Sequence, residues 1–164
     1  MAQDRTNMVS FLDTGKLMGG NTSKISELGD GFTEISEDWG ANVESKQYVN
    51  MKSASNTVKG YDLSIEAERE YLSDDMQTVI DNMFKKFPTG TQCETSYYRF
   101  YKTDVTNSGT FNAIKVPVVV CPSSTGGAGG DTLVSSIQIK GNGDVVEGTM
   151  ALDTETGEWS FTEA

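Results

Sequence analysis

Residues 61–70, YDLSIEAERE, alternate cleanly: Tyr61, Leu63, Ile65 and Ala67 fall on one face, and Asp62, Ser64, Glu66, Glu68 and Glu70 on the other. A two-residue period predicts a half-buried strand, here with an acidic outer face. A few residues on, the period lengthens. Met76, Val79, Ile80, Met83, Phe84 and Phe87 recur at three- and four-residue spacing, which predicts a helix over residues 73–87. Ser73 is a good N-cap, Asp74 and Asp75 suit the first turn, Lys85 and Lys86 suit the last, and Pro88-Thr89-Gly90 ends it. Burying that stripe contributes about 1.5–3 kcal/mol per large side chain, so the helix is expected to pack on a sheet.

The rest of the pattern predicts strands. Residues 32–39 form one, and residues 94–103 another, rich in Tyr97, Tyr98, Phe100 and Tyr101. Residues 110–121 continue as a strand whose Pro117 suggests an edge or a bulge. Residues 122–131, PSSTGGAGGD, read as a flexible loop. Residues 133–140 and 144–152 flank Gly141-Asn142-Gly143 as a hairpin, and a last hairpin turns at 153–157 and returns along 158–161. The first thirty residues are polar and punctuated by glycine, with Val9, Phe11, Leu12 and Leu17 as apolar anchors. They read as an N-terminal arm, with a short strand at 8–12. Strands, one helix and more strands predict a mainly β chain, a single-domain sandwich or barrel with one flanking α-helix.

One stretch fits neither period. Residues 39–61, WGANVESKQYVNMKSASNTVKGY, run polar and small-residue-rich for longer than a compact domain leaves a loop without a role. Val43, Tyr48, Val49, Met51 and Val58 are spread along it and need a surface to cover them. Neighbouring copies of the chain are the expected surface.

The composition narrows the chemistry. With 24 acidic and 13 basic residues the net charge is -11, which argues against general nucleic-acid binding and suits a wall that repels a polyanion. No apolar run is long enough for a membrane helix, and the first residues carry no secretory signal. Histidine is absent, so the commonest general base and zinc ligand are missing. Cys93 and Cys121 have no motif spacing and read as free thiols of a cytosolic product. Residues 126–130 lack the Lys-Ser/Thr of a P-loop, and residues 153–157 lack the later ligands of a calcium loop. A glycosidase pair among the carboxylates would call for exposed aromatics around a cleft, and the only tryptophans are Trp39 and Trp159. No enzymatic activity, cofactor or metal is expected.

From Trp39-Gly40 through Glu44-Ser45-Lys46-Gln47-Tyr48-Val49-Asn50, then residues 53–59 and Gly60-Tyr61, the chain resembles the major tail tube proteins of long-tailed (siphovirus-type) bacteriophages of low-GC Gram-positive hosts. The likeness runs from Gly31 to about Phe161 and rests on diffuse motifs, not catalytic signatures. It implies hexameric rings stacked into a tube, whose lumen holds a tape-measure protein and later conducts double-stranded DNA during ejection. The implied partners are further copies of the chain, the tape-measure protein and tail-end proteins. The implied location is the virion tail, assembled in the host cytoplasm. On that resemblance Val43, Lys46, Tyr48, Val49, Met51 and Val58 of a loop over 40–60 make intersubunit contacts, terminal arms assist, and Asp62, Glu66, Glu68 and Glu70 are candidates to face the lumen. The alternatives are an acidic β-sandwich that binds carbohydrate or another surface, a tail-completion protein, or the inner tube of a contractile injection device.

Overall fold

The computed structural model describes residues 1–164. In chain order its elements are β1 (Met8–Asp13), β2 (Ile25–Glu27), β3 (Phe32–Asp38), β4 (Asn42–Lys46), β5 (Ser55–Gly60), β6 (Ser64–Glu70), α1 (Asp75–Lys86), β7 (Glu94–Val105), β8 (Phe111–Gly126), β9 (Val134–Gly141), β10 (Val146–Leu152) and β11 (Trp159–Glu163). Nine strands form one antiparallel sheet with the path β2-β1-β7-β8-β9-β6-β3, from which β10 and β11 branch at β8. The mainly β architecture with one helix is as the sequence predicts.

Neighbouring residues of the central strands enter different cores. Leu12, Tyr97, Val116, Val118, Ile65, Ile137 and Ile139 pack with Ile80 and Met83 of α1. Val9, Phe11, Tyr98, Phe100, Ala113 and Met150 form the second core, closed by Trp159 and Phe161. There the Phe100 and Phe111 rings stack at 4.4 Å. Because β1 is buried on both faces, its sequence MVSFLD lacks a clean period. It lies between β2 and β7, so residues 8–13 belong to the sheet and not to an N-terminal arm. The C-terminal segment is likewise paired, β11 against β10.

The branch at β8 corrects three expectations. β10 pairs with Phe111–Lys115 and β9 with Val118–Gly126, both antiparallel to β8. Strands β9 and β10 therefore run in the same direction, and Gly141-Asn142-Gly143 is a sideways step, not a hairpin turn. Pro117 occupies the seam where one partner gives way to the other. It has no N–H to offer, and its carbonyl accepts from the Asn142 N–H at 2.8 Å. An interior strand thus tolerates proline, where the sequence suggested an edge or bulge. A Cβ on Gly143 would stand 3.2 Å from Pro117 Cγ, which favours glycine at the step. Residues 122–126 extend β8 instead of forming a loop, because β9 supplies their ladder.

The helix is shorter than its stripe. Asp74, not Ser73, is the N-cap, accepting from the Gln77 N–H at 2.9 Å. Phe87 turns left-handed at φ 46° and is exposed, so the buried stripe stops short of it. Arg69, inward-facing on β6, is fully buried; its Nη2 lies 2.8 Å from Asp74 Oδ2 and its guanidinium lies over the Phe32 ring. That ion pair pins the start of α1 to the back of β6.

Candidate functional site

The sheet has one broad polar face. Strands β3, β6 and β9 and the far half of β8 turn their core-averted side chains into a concavity of about 560 Å³ with no apolar lining. Glu34, Ser36 and Asp38 come from β3, Ser64, Glu66 and Glu68 from β6, and Ser136 and Gln138 from β9. The register sets Glu34 directly opposite Glu68, and Ser36 opposite Glu66. On the other side Glu66 faces Gln138, and Ser64 faces Lys140. Like charges directly opposite destabilise an antiparallel pair. None of Glu34, Asp38, Glu66 and Glu68 makes an ion pair.

Of the four carboxylates singled out in the sequence, Glu66 and Glu68 share this face and Glu70 ends β6 beside Val134. Asp62 does not share it. It precedes β6, its N–H bonds the Trp39 carbonyl at 3.0 Å, and it lines a separate cleft of about 240 Å³. Tyr61 lines the same cleft and is exposed, contrary to its expected place on the buried face. Glu34 and Asp38 were missed. They alternate visibly in FTEISED, but only the pairing of β3 with β6 aligns them with Glu66 and Glu68.

The stretch expected as a loop is a hairpin. β4 and β5 form a two-stranded sheet of their own, with Val43 opposite Val58 and Lys46 opposite Ser55. At its turn the Met51 N–H bonds the Tyr48 carbonyl at 3.0 Å, and Gln47 Nε2 donates to the Met51 carbonyl at 3.1 Å. Lys59 Nζ lies 2.9 Å from Glu44 Oε2. Every residue of β4 and all of β5 before Gly60 are exposed. With no buried face there is no two-residue apolar period to read, so the strands escaped the sequence pattern. Val43, Tyr48, Val49 and Val58 all stand exposed, and Met51 is half-buried.

No group of three or more carboxylates or cysteines is arranged to hold a metal ion. Asp153 instead ties its own turn, accepting from the Glu155 N–H at 3.0 Å. Cys93 and Cys121 are both free, the first buried. Burial, with a smaller contribution from Cys121, pushes the Cys93 thiol up. No helix is long and apolar enough to cross a membrane.

No family model and no curated protein matches the chain in sequence. Solved structures match in fold. A chain from the C6-symmetric tail of an empty gene transfer agent particle superposes with a TM-score of 0.60 at 11% identity, covering 88% of this chain and 97% of that one. The fold is that of tail-tube proteins. A chain of the sheath–tube complex of an extracellular contractile injection system, in its extended state, shares this tail-tube fold with a TM-score of 0.55 at 9% identity, covering 90% and 92%. So does a chain of the anti-feeding prophage cap, which terminates a tube, with a TM-score of 0.53 at 10% identity, covering 91% and 92%.

Proposed function

We propose that this chain is the structural subunit of a bacteriophage tail tube. Six copies close a ring, rings stack into a conduit, and double-stranded DNA passes through it without specific binding. The observation that carries this reading is the polar face of β3, β6, β9 and β8, whose acidic side chains have no ion-pair partners in a fold shared with tail tubes. A stability cost at Glu34 and Glu68 is accounted for if the face meets phosphate, because an acidic wall keeps a polyanion from adhering.

The dimensions agree. Four strands per copy at a spacing of about 4.8 Å, tilted by about 35–45° as closure of a barrel requires, give six copies a circumference of about 140–165 Å and a backbone-to-backbone diameter of about 45–52 Å. Side chains narrow that to about 33–40 Å, wide enough for a duplex. The chain acts as scaffold and not as enzyme. Its partners are copies of itself, a tape-measure protein before DNA enters, and tail-end proteins, all within a virion tail assembled in the host cytoplasm. The siphovirus type and Gram-positive host rest on the residue pattern from Trp39 to Tyr61 alone. A carbohydrate-binding module is less well supported, since the concave face carries no aromatic side chain.

Negative-stain electron microscopy of the purified chain at high concentration tests the reading. Rings of six or hollow tubes are expected. A chain that stays monomeric at every concentration overturns it.

A further inference from the structure

The hairpin and the cleft at its base are complementary. The segment 42–60 holds three lysines against one glutamate, a net +2, while the rest of the chain carries -13. Glu44 is already taken by Lys59, which leaves Lys46 and Lys52 unpaired beside the tip. Between them stand Tyr48 and Val49, 63% exposed and fully exposed. The cleft presents the opposite character. Trp39, Tyr61 and Val145 supply apolar wall, and Asp62 and Asp144 supply negative charge, around about 240 Å³. That volume suits one aromatic side chain and part of a neighbour. Tyr61 and Val145 are left 69% and 43% exposed.

We infer that the hairpin tip of one copy docks in this cleft of a second copy, with Tyr48 or Val49 seated against Trp39, Tyr61 and Val145, and Lys46 and Lys52 facing Asp62 and Asp144. A chain cannot serve itself this way. Trp39 and Tyr61 stand where the hairpin leaves the body, and five paired residues separate the tip from them, about 17 Å of strand. The contact joins unlike patches, so it does not end at a dimer. Each added copy offers another tip and another cleft, which is how rings and filaments grow. An isolated two-stranded hairpin is marginal in water, so docking also stabilises the hairpin itself. The inference rests on the proposed assembly and names the partner surface of the hairpin.

The test uses the full chain. K46E/K52E is expected to raise the concentration needed for polymer formation by at least about tenfold, and adding D62K/D144K to restore it. In polymers of Y48C/V145C carrying C93S/C121S, which removes the two native thiols, a short bismaleimide is expected to link chains into a ladder that neither single variant gives on the same background. Apart from buried Cys93, all the substituted positions are solvent-accessible, and circular dichroism checks each fold. Normal polymerisation of K46E/K52E, failure of the charge swap to restore it, or an absent ladder in assembled Y48C/V145C overturns the docking. Those results leave the tube reading standing. Failure of the unmodified chain to assemble overturns both.

Discussion

The Tyr97 hydroxyl lies 2.8 Å from Glu37 Oε2, joining strands β7 and β3, which three other strands separate along the sheet. The sheet has curled until its outer strand returns to its centre, and side chains, not a backbone ladder, hold it there. Glu37 also accepts from Trp39 Nε1 at 3.1 Å and Arg99 Nε at 3.2 Å, while the Tyr97 hydroxyl is 2.8 Å from Ser10 Oγ. Burial, then the Glu37 charge, pushes the Tyr97 phenol well above its usual range, so it stays a donor.

Removing either end of this clasp is expected to destabilise the fold by different amounts. Tyr97→Phe strips one hydrogen bond from a carboxylate and is expected to cost about 1.5–3 kcal/mol. Glu37→Ala also strands the Arg99 guanidinium, which is mostly buried, and is expected to cost about 3–5 kcal/mol. Urea denaturation midpoints check both. Equal costs for the two variants would mean that Arg99 finds other partners.

The Arg69–Asp74 pair predicts a pH dependence. Burial pushes the Asp74 carboxyl up, but the hydrogen bonds from Arg69 and the Gln77 N–H, with the Arg69 charge, outweigh it and leave the group below its ordinary value. A depressed carboxyl contributes stability that is fully present above the unfolded-state value and lost as pH falls through the folded one. Unfolding free energy is therefore expected to fall as pH drops through and below the ordinary carboxylate range. Asp74→Asn keeps a competent N-cap but removes the charge, so its pH profile is expected to be flatter there. An unchanged acid slope in that variant would assign the dependence to other carboxylates.

On the proposed tube function, the acidic face predicts a trade between stability and transport. Glu68→Gln relieves the opposition to Glu34 and is expected to stabilise the subunit by about 0.2–1 kcal/mol, read as a raised melting temperature. E66K/E68K is expected to leave tubes intact while slowing or trapping DNA during ejection from particles. Normal ejection by particles built from that variant would remove these residues from the lumen.

How much the sequence revealed depends on what each segment is packed against. β6 was legible because one face is core and the other is solvent, so Ile65, Ala67 and Glu66, Glu68 alternate visibly. The helix was legible for the same reason at its own period, but its cap was not, since Ser73 and Asp74 are both good caps and only Arg69 decides between them. β1 was blurred by being buried on both faces. The false hairpin at Gly141 could not be told from a real one, because local residues specify a turn while the switch of partners along β8 is a long-range fact. Asp62 was misplaced by extending the strand period three residues ahead of the start of β6, to Tyr61.

Excision of the hairpin separates folding from assembly. Its strands are exposed except at Gly60 and contribute nothing to either core, and Asn42 and Gly60 are paired neighbours whose ends are already close. Joining Ala41 to Tyr61 keeps the Trp39 carbonyl bonded to the Asp62 N–H at the hairpin base. The shortened chain is therefore expected to fold with stability within about 0.5 kcal/mol of the parent, as surface changes remote from the core do. It is expected to stay monomeric where the parent forms tubes, measured by sedimentation velocity beside thermal unfolding. A marked loss of stability would show that the hairpin belongs to the fold of the single subunit. Undiminished tubes would show that copies meet through other surfaces, with the free edge of β3 the next to examine.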